Sequence, residues 1–167
     1  MQLATIRLLG PEDFHAFRLI RLEALRTEPA SFASRASDWE MLPDEEWRRR
    51  IAANPVFVAF QEERPVGIIG LLRERVSKMA HRATIVMVYV KKHHRGTGLS
   101  TRLLDEVVTH ARDNGIRQLE LAVSVENPAA LRFYCREGFR EIGRIPGGFL
   151  HDGREVDELL MVRPIAP

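Results

Sequence analysis

Cysteine is almost missing from this chain. Cys135 stands alone among 167 residues, so no internal disulfide framework can staple the fold. With no activating histidine paired with it in sequence, Cys135 is expected to be a buried structural thiol. Long apolar runs are missing too, and none reaches the roughly 20 residues that cross a bilayer as a helix. The opening Met1-Gln2-Leu3-Ala4-Thr5-Ile6-Arg7 lacks the charged-then-apolar order of an export signal, so the default expectation is the cytoplasm. Neither charge sign is in excess: 25 Lys and Arg face 23 Asp and Glu, a net charge of +2. Acids and bases are interspersed, which argues against a dedicated nucleic-acid binder with clustered cations. Repeats, low-complexity tracts and long linkers are also absent. One domain spanning 1–167 is therefore expected, long enough to bury a sizeable core.

What is present reads as an ordinary globular chain, 45% apolar and 29% charged. Apolar periodicity and turn residues divide it into strands and helices. A first strand runs from Leu3 to Leu8. A helix opens at Pro11-Glu12-Asp13 and continues to about Arg26, where Pro29 stops it. Residues 27 to 42 look irregular or partly helical, and a short helix follows from Pro43 to about Ala53. Strands are expected at 56–61, 66–75 and 82–90, the last two antiparallel. Then come a helix over 98–115, a strand over 118–124, a helix over 128–137 and a strand over 139–145. A loop at Pro146-Gly147-Gly148 leads to a final strand over 155–163.

The most informative stretch joins the strand Ile85-Val86-Met87-Val88-Tyr89-Val90 to the helix that carries Leu99, Leu103, Leu104, Val107, Val108 and Ala111 on one face. Between them lies Arg95-Gly96-Thr97-Gly98-Leu99-Ser100. A helix N-terminus leaves backbone N–H groups unpaired at the positive end of its dipole, and glycines let a ligand approach the main chain. Such a junction suits a phosphate or pyrophosphate, and the neighbouring Lys91-Lys92-His93-His94-Arg95 suits the same ligand. No Gly-Lys-Ser/Thr closes the loop, so it is not a Walker A loop. Thr101 stands where a dinucleotide fingerprint needs a third small residue. Taken alone, Gly-x-Gly is also compatible with an ordinary tight turn.

Arg95-x-x-Gly98-x-Ser100 resembles the Arg/Gln-x-x-Gly-x-Gly/Ala signature of the GNAT superfamily, the acyl-CoA-dependent N-acyltransferases, with Ser100 as its one departure. About 29 residues past Gly98, the run from Asn127 to Phe139 resembles the family's second signature, Asn-x-x-Ala-x-x-Phe/Leu-Tyr-x-x-x-Gly-Phe. Asn127 also suits an N-cap, Pro128 the first helical turn, and Gly138 a helix end. The close match covers residues 85 to 139, and a looser one extends over nearly the whole chain. It implies a mixed α/β fold: a central, twisted, mostly antiparallel sheet with a splayed parallel pair, flanked by helices.

The resemblance implies an N-acetyltransferase that moves the acetyl group of acetyl-CoA onto a primary amine of a small molecule or protein. Main-chain groups at Val88, Tyr89 and Val90 are expected to pair with pantetheine and polarise the thioester. Arg95, Gly96, Thr97, Gly98, Leu99, Ser100 and Thr101 are expected to cradle the pyrophosphate, and Asn127 either reaches pantetheine as well as capping or serves as a cap alone. Tyr134 takes the family's general-acid position. Its bland alternative is a core aromatic.

The base is open. Ala122 and Thr84 occupy the usual positions and cannot act. Glu120 shares a strand face with Ala122 by alternation and is the leading candidate, ahead of Glu126, His81, Asp157 and Glu158. The acceptor groove is expected around 32–47 and 143–152, with Trp39, Glu40, Trp47, Phe149 and His151 as candidate lining. No metal, nucleic acid or membrane is expected to take part, and a homodimer is left open. The competing reading is a non-catalytic acyl-CoA sensor.

Overall fold

The computed structural model describes residues 2 to 166. Seven strands form one sheet: β1 (Thr5–Leu8), β2 (Val56–Gln61), β3 (Arg64–Arg73), β4 (Arg82–Val90), β5 (Gln118–Ser124), β6 (Arg140–His151) and β7 (Arg154–Pro164). The helices are α1 (Phe14–Thr27), α2 (Ala36–Trp39), α3 (Asp44–Ala53), α4 (Leu99–Asp113) and α5 (Pro128–Arg136). The spatial order is β1-β2-β3-β4-β5-β7-β6. Every neighbouring pair is antiparallel except β4 and β5, which run parallel. This is the mixed fold that the sequence leads one to expect.

Two apolar layers sandwich the sheet. On one face α4 buries Leu99, Leu103, Leu104, Val107, Val108 and Ala111 with Ile69, Leu71, Leu119 and Leu121 of the strands. Each such fully buried leucine contributes roughly 1.5–3 kcal/mol. On the other face α1 and α3 pack Phe17, Ile20, Ala24, Trp47 and Ile51 against Val56, Val58, Ile68 and Tyr89. Side chains alternate across β4, so Tyr89 belongs to the α1 layer while its neighbour Val90 belongs to the α4 layer.

The differences from expectation are local. The turn before β3 is tighter than the sequence suggests, because Glu62 and Glu63 both take positive φ (49° and 63°). That is the backbone a two-residue hairpin needs, and it moves the start of β3 back to Arg64. Pro146-Gly147-Gly148 does not end β6 but interrupts its register between Ile145 and Phe149. There the Asp157 carboxylate accepts from the Gly147 N–H at 2.8 Å, replacing a ladder bond. Cys135 is exposed rather than buried, since the buried side of α5 is given to Tyr134.

Candidate active site

The parallel pair is short. Arg82, Ala83 and Thr84 pair with Gln118, Leu119 and Glu120, and the register ends there. Beyond it β4 and β5 separate, and a cleft of about 460 Å³ opens between them. Its walls are residues 85–90 of β4, residues 121–124 of β5 and one face of α5. Main-chain groups on the facing strand edges lose their ladder partners where the strands part, and they must find others or water.

β4 is also bent at this point. Gly70 pairs with Val86 and Ile68 with Tyr89, so three steps on β4 oppose two on β3. The surplus is absorbed at Met87, whose φ is +58°. This is a β-bulge with a non-glycine residue in left-handed backbone, an arrangement that costs of order 1–3 kcal/mol and clusters at functional sites. Gly70 leaves the necessary room: a Cβ there would lie 2.4 Å from Met87 Cε and 3.1 Å from Val86 Cγ2.

At the far end of β4 the glycine loop turns into α4. Gly96 and Gly98 have φ of +74° and +84°, and a Cβ on either would meet nothing within 4 Å. Glycine is required here by backbone conformation, and the space above it is open. Gly98 is the N-cap of α4 and no side chain caps the helix, so its first N–H groups are available to an anion. Arg95 braces the loop. Its Nε donates to the Val90 carbonyl at 2.9 Å and an Nη2 hydrogen goes to Glu28 Oε1 at 2.9 Å.

Opposite, Asn127 Oδ1 accepts from the Ala130 N–H at 3.2 Å, capping α5, while Nδ2 lies 3.5 Å from Ser31 Oγ. Tyr134 comes from the inner face of α5, packed edge-on against Phe139 at 5.6 Å. Burial pushes its phenol well above the ordinary tyrosine value, so it holds its proton at any physiological pH. Its hydroxyl has no hydrogen-bond partner among the described residues.

Of the residues singled out from sequence, Val88, Tyr89, Val90, Arg95, Gly96, Gly98, Ser100, Thr101, Asn127 and Tyr134 all line this cleft. Thr97 and Leu99 do not. The Thr97 hydroxyl turns back to the His94 carbonyl at 2.6 Å, and Leu99 is a core residue of the α4 layer.

Glu120 lies outside the cleft. Alternation puts it on the same face as Ala122, which does line the cleft. At position 120, however, β5 is still paired with β4. There Arg82 grips the carboxylate with Nε and Nη2, and Gln118 Nε2 donates at 3.1 Å. The guanidinium beside it holds this carboxyl below the usual range. A carboxylate so engaged is a poor base, and the assignment of Glu120 to that role is corrected. Glu126 is bound by Arg154, and Asp157 by Arg144; neither they nor His81 and Glu158 line the cleft.

The expected acceptor-groove residues are also placed differently. Trp47 is wholly buried in the α1 layer. Trp39 packs on it at 5.3 Å with the Arg21 and Arg50 guanidinium groups over its ring. Glu40 pairs with Arg26 at 3.0 Å. Phe149 and His151 sit far out on the β6–β7 hairpin. From the stretch after α1, the residues that do line the cleft are Glu28, Ser31 and Phe32. Phe32 opens the expected 32–47 stretch, whereas Glu28 and Ser31 lie before it, where no local pattern marks the end of α1 as cleft wall.

A profile of the acetyltransferase (GNAT) family matches residues 19–139. The chain belongs to this family. An N-acetyltransferase of Methanocaldococcus jannaschii is 33% identical over 97 residues, 57% of this chain and 43% of that protein. The matched stretch spans 43%, 59% and 39% of the length of three such relatives. The fold superposes on an acetyltransferase of the GNAT family from Streptococcus pneumoniae with a TM-score of 0.85 at 23% identity, covering 98% and 99% of the two chains. It also superposes on a GNAT superfamily phosphinothricin acetyltransferase from Sinorhizobium meliloti, solved in complex with acetyl-CoA. There the TM-score is 0.82 at 21% identity, covering 99% and 90%. At these identities the structures establish the shared fold. Among the described residues of this GNAT chain, no group of three or more His, Cys, Asp or Glu is placed to hold a metal ion. No helix among the described residues is long and apolar enough to cross a membrane.

Proposed function

We propose that this chain transfers the acetyl group of acetyl-CoA to a primary amine of a small molecule or protein. The observation that carries the reading is the parting of β4 from β5 after three residue pairs. It leaves a strand-lined slot that runs from a bulge at Met87 to an uncapped helix N-terminus at Gly98. Acetyl-CoA fits what is there: an extended amide-bearing arm for the slot, and phosphates for open glycine backbone and unpaired N–H groups. When bound, it would supply the activated acyl thioester.

The chain's own groups then have distinct tasks. Gly96, Gly98, Ser100 and Thr101 hold phosphate oxygens through main-chain N–H groups at the helix start. Main-chain groups from Val88 to Val90 and the Nδ2 of Asn127 orient the arm. N–H groups at the bulge offer fixed dipoles to negative charge on the acyl oxygen, which is worth more in a partly dry slot than in water. Tyr134 keeps a proton and delivers it to the departing sulfur. The proton moves as the carbon–sulfur bond breaks and negative charge builds on the sulfur.

The test begins with binding. Acetyl-CoA at ~100 times its Kd should stabilise the fold by about 2.7 kcal/mol, a rise of several degrees in Tm. Free CoA should do much the same and NAD should not. Thiol release on adding a primary amine then completes the reading. Binding without release from any amine would favour an acyl-CoA sensor, and no shift with either CoA species would refute the cofactor assignment.

A further inference from the structure

Catalysis in this cleft lacks one part, a group that takes the proton from the attacking amine. The titratable side chains that line the cleft are Glu28, Tyr89, Arg95, Tyr134 and Arg136. Arginine does not give up its proton in proteins. Burial raises both phenols, Tyr89 and Tyr134, above their ordinary value. Neither histidine nor cysteine contributes to the lining among the described residues. Glu28 is the one side chain left that can accept a proton at neutral pH.

We infer that Glu28 is the general base of the transfer reaction. The inference rests on the acetyltransferase reading above.

Its position is built from the sequence. Pro29 prevents α1 from continuing, and the residue before a proline avoids helical backbone. Glu28 accordingly leaves the helix at φ −130° and ψ 56° while its N–H still donates to the Ala24 carbonyl. One residue earlier, the Thr27 hydroxyl donates to the Glu23 carbonyl at 2.8 Å and lies 3.2 Å from the Tyr89 hydroxyl. That contact pins the end of α1 to β4, and the Glu28 side chain falls on the cleft wall. Oε1 accepts from Arg95 Nη2 at 2.9 Å, while Oε2 has no hydrogen-bond partner among the described residues.

Other charges face this carboxylate. Arg95, from the loop after β4, and Arg136, from α5, line the same cleft, while the Lys91 ammonium is taken by Glu23, with Nζ 3.3 Å from Oε1. Unlike Glu120, which Arg82 holds through both carboxylate oxygens, Glu28 is held through Oε1 alone. The segment it begins is tethered again where Ser31 meets Asn127, so the carboxylate sits on a strand-anchored loop held on both sides of the cleft.

The proton balance closes. An N–H proton of the amine passes to Glu28 Oε2, directly or through one water, as nitrogen bonds to the acyl carbon. The carbon–sulfur bond breaks, its electron pair leaves with sulfur, and Tyr134 protonates that sulfur. Glu28 then returns a proton to the Tyr134 phenolate through solvent, and both groups are restored.

The experiment compares wild type with Glu28→Gln and Glu28→Asp, following thiol release over pH 6 to 10. The acceptor is the best of a panel holding an L-amino acid, a diamine and a peptide with a free α-amino group. Glu28→Gln should lower kcat/KM for the amine about 100-fold near neutral pH. The loss should shrink as pH rises and hydroxide becomes abundant enough to take the N–H proton in place of Glu28. Acetyl-CoA Kd by calorimetry and the Tm should stay close to wild type, and Glu28→Asp should recover part of the rate.

Glu28→Gln activity within twofold of wild type would overturn the assignment. So would an equal loss at every pH accompanied by weaker acetyl-CoA binding, which would mark Glu28 as only a brace for Arg95. If Glu28→Gln fails to fold, the pH profile of Glu28→Asp decides: a profile parallel to wild type at unchanged rate overturns it. A wild-type protein that binds acetyl-CoA yet releases thiol with none of the amines defeats the transferase reading itself, and the base assignment with it.

Discussion

Two ends of one strand pair behave in opposite ways. At the closed end, β4 and β5 are hydrogen-bonded, and Arg82 and Glu120 clasp across the pair. At the open end the same strands have parted, and the gap is walled by small or apolar side chains such as Val88, Ala122 and Val123. On these two strands, charge sits where the backbone is already satisfied. Where the strands have parted, their own side chains are small or apolar and leave main-chain groups facing the cleft. A carboxylate attractive as chemistry can therefore be structural, while residues of unremarkable type line the working cleft.

The sharpest way to break this contrast is at Tyr134. Tyr134→Phe keeps the ring in its layer but removes the transferable proton. We expect kcat to fall 100-fold or more, with acetyl-CoA Kd within about twofold, measured by steady-state thiol release and calorimetry. Unchanged turnover would remove Tyr134 from the mechanism.

Next in size is the glycine loop. Gly98→Val forces a β-branched residue into φ +84°, a conformation costing L-residues roughly 1–2 kcal/mol or more. Acetyl-CoA affinity should drop about tenfold or further while the α4 layer stays packed, which calorimetry and a thermal melt would separate.

The closed end should respond in the reverse sense. Glu120→Gln breaks the clasp with Arg82 and should lower the Tm, with kcat/KM unchanged where the protein is folded. A large loss of turnover would return Glu120 to the chemistry.

The smallest expected effect is the pH signature of the same pair. Glu120 has a folded-state pKa below its unfolded value because of the Arg82 hydrogen bonds. Its contribution is therefore complete above the unfolded carboxylate range and is lost as pH falls through the depressed folded value. Tyr134 has the opposite sign: its contribution is complete below the unfolded phenol value near 10 and fades as pH rises past it. Melts across acid pH should show a shallower dependence in Glu120→Gln than in wild type, and melts above pH 10 a shallower one in Tyr134→Phe.

The contrast also explains what could be read from the chain alone. α4, the glycine loop and α5 were legible because each announces itself locally: a 3.6-residue apolar period, two glycines at a helix start, and Asn-Pro before a helix that ends at Gly138. The face on which Glu120 lies was equally legible, since alternation fixes it. The point along β5 where pairing with β4 stops was not, for that depends on the bulge at Met87 and on layers contributed by distant segments. Glu28 was hidden for the same reason. Its place on the cleft wall depends on a contact between Thr27 and Tyr89, 62 positions apart, and nothing near it in sequence announces that meeting. Trp39 and Trp47 misled in the opposite direction: surface-groove aromatics and core aromatics look alike until their neighbours are known.

Asn127 divides its amide between two tasks, its oxygen for the first turn of α5 and its nitrogen for the mouth of the cleft. Aspartate caps a helix about as well as asparagine, so a change to aspartate would be nearly silent to folding. It would nonetheless exchange a donor for a negative charge at a mouth whose other end is arranged for anions. The helix alone would accept either residue, and only the cleft distinguishes them. Stability alone is thus blind at this position to a one-atom change that the proposed binding of the ligand arm would not tolerate.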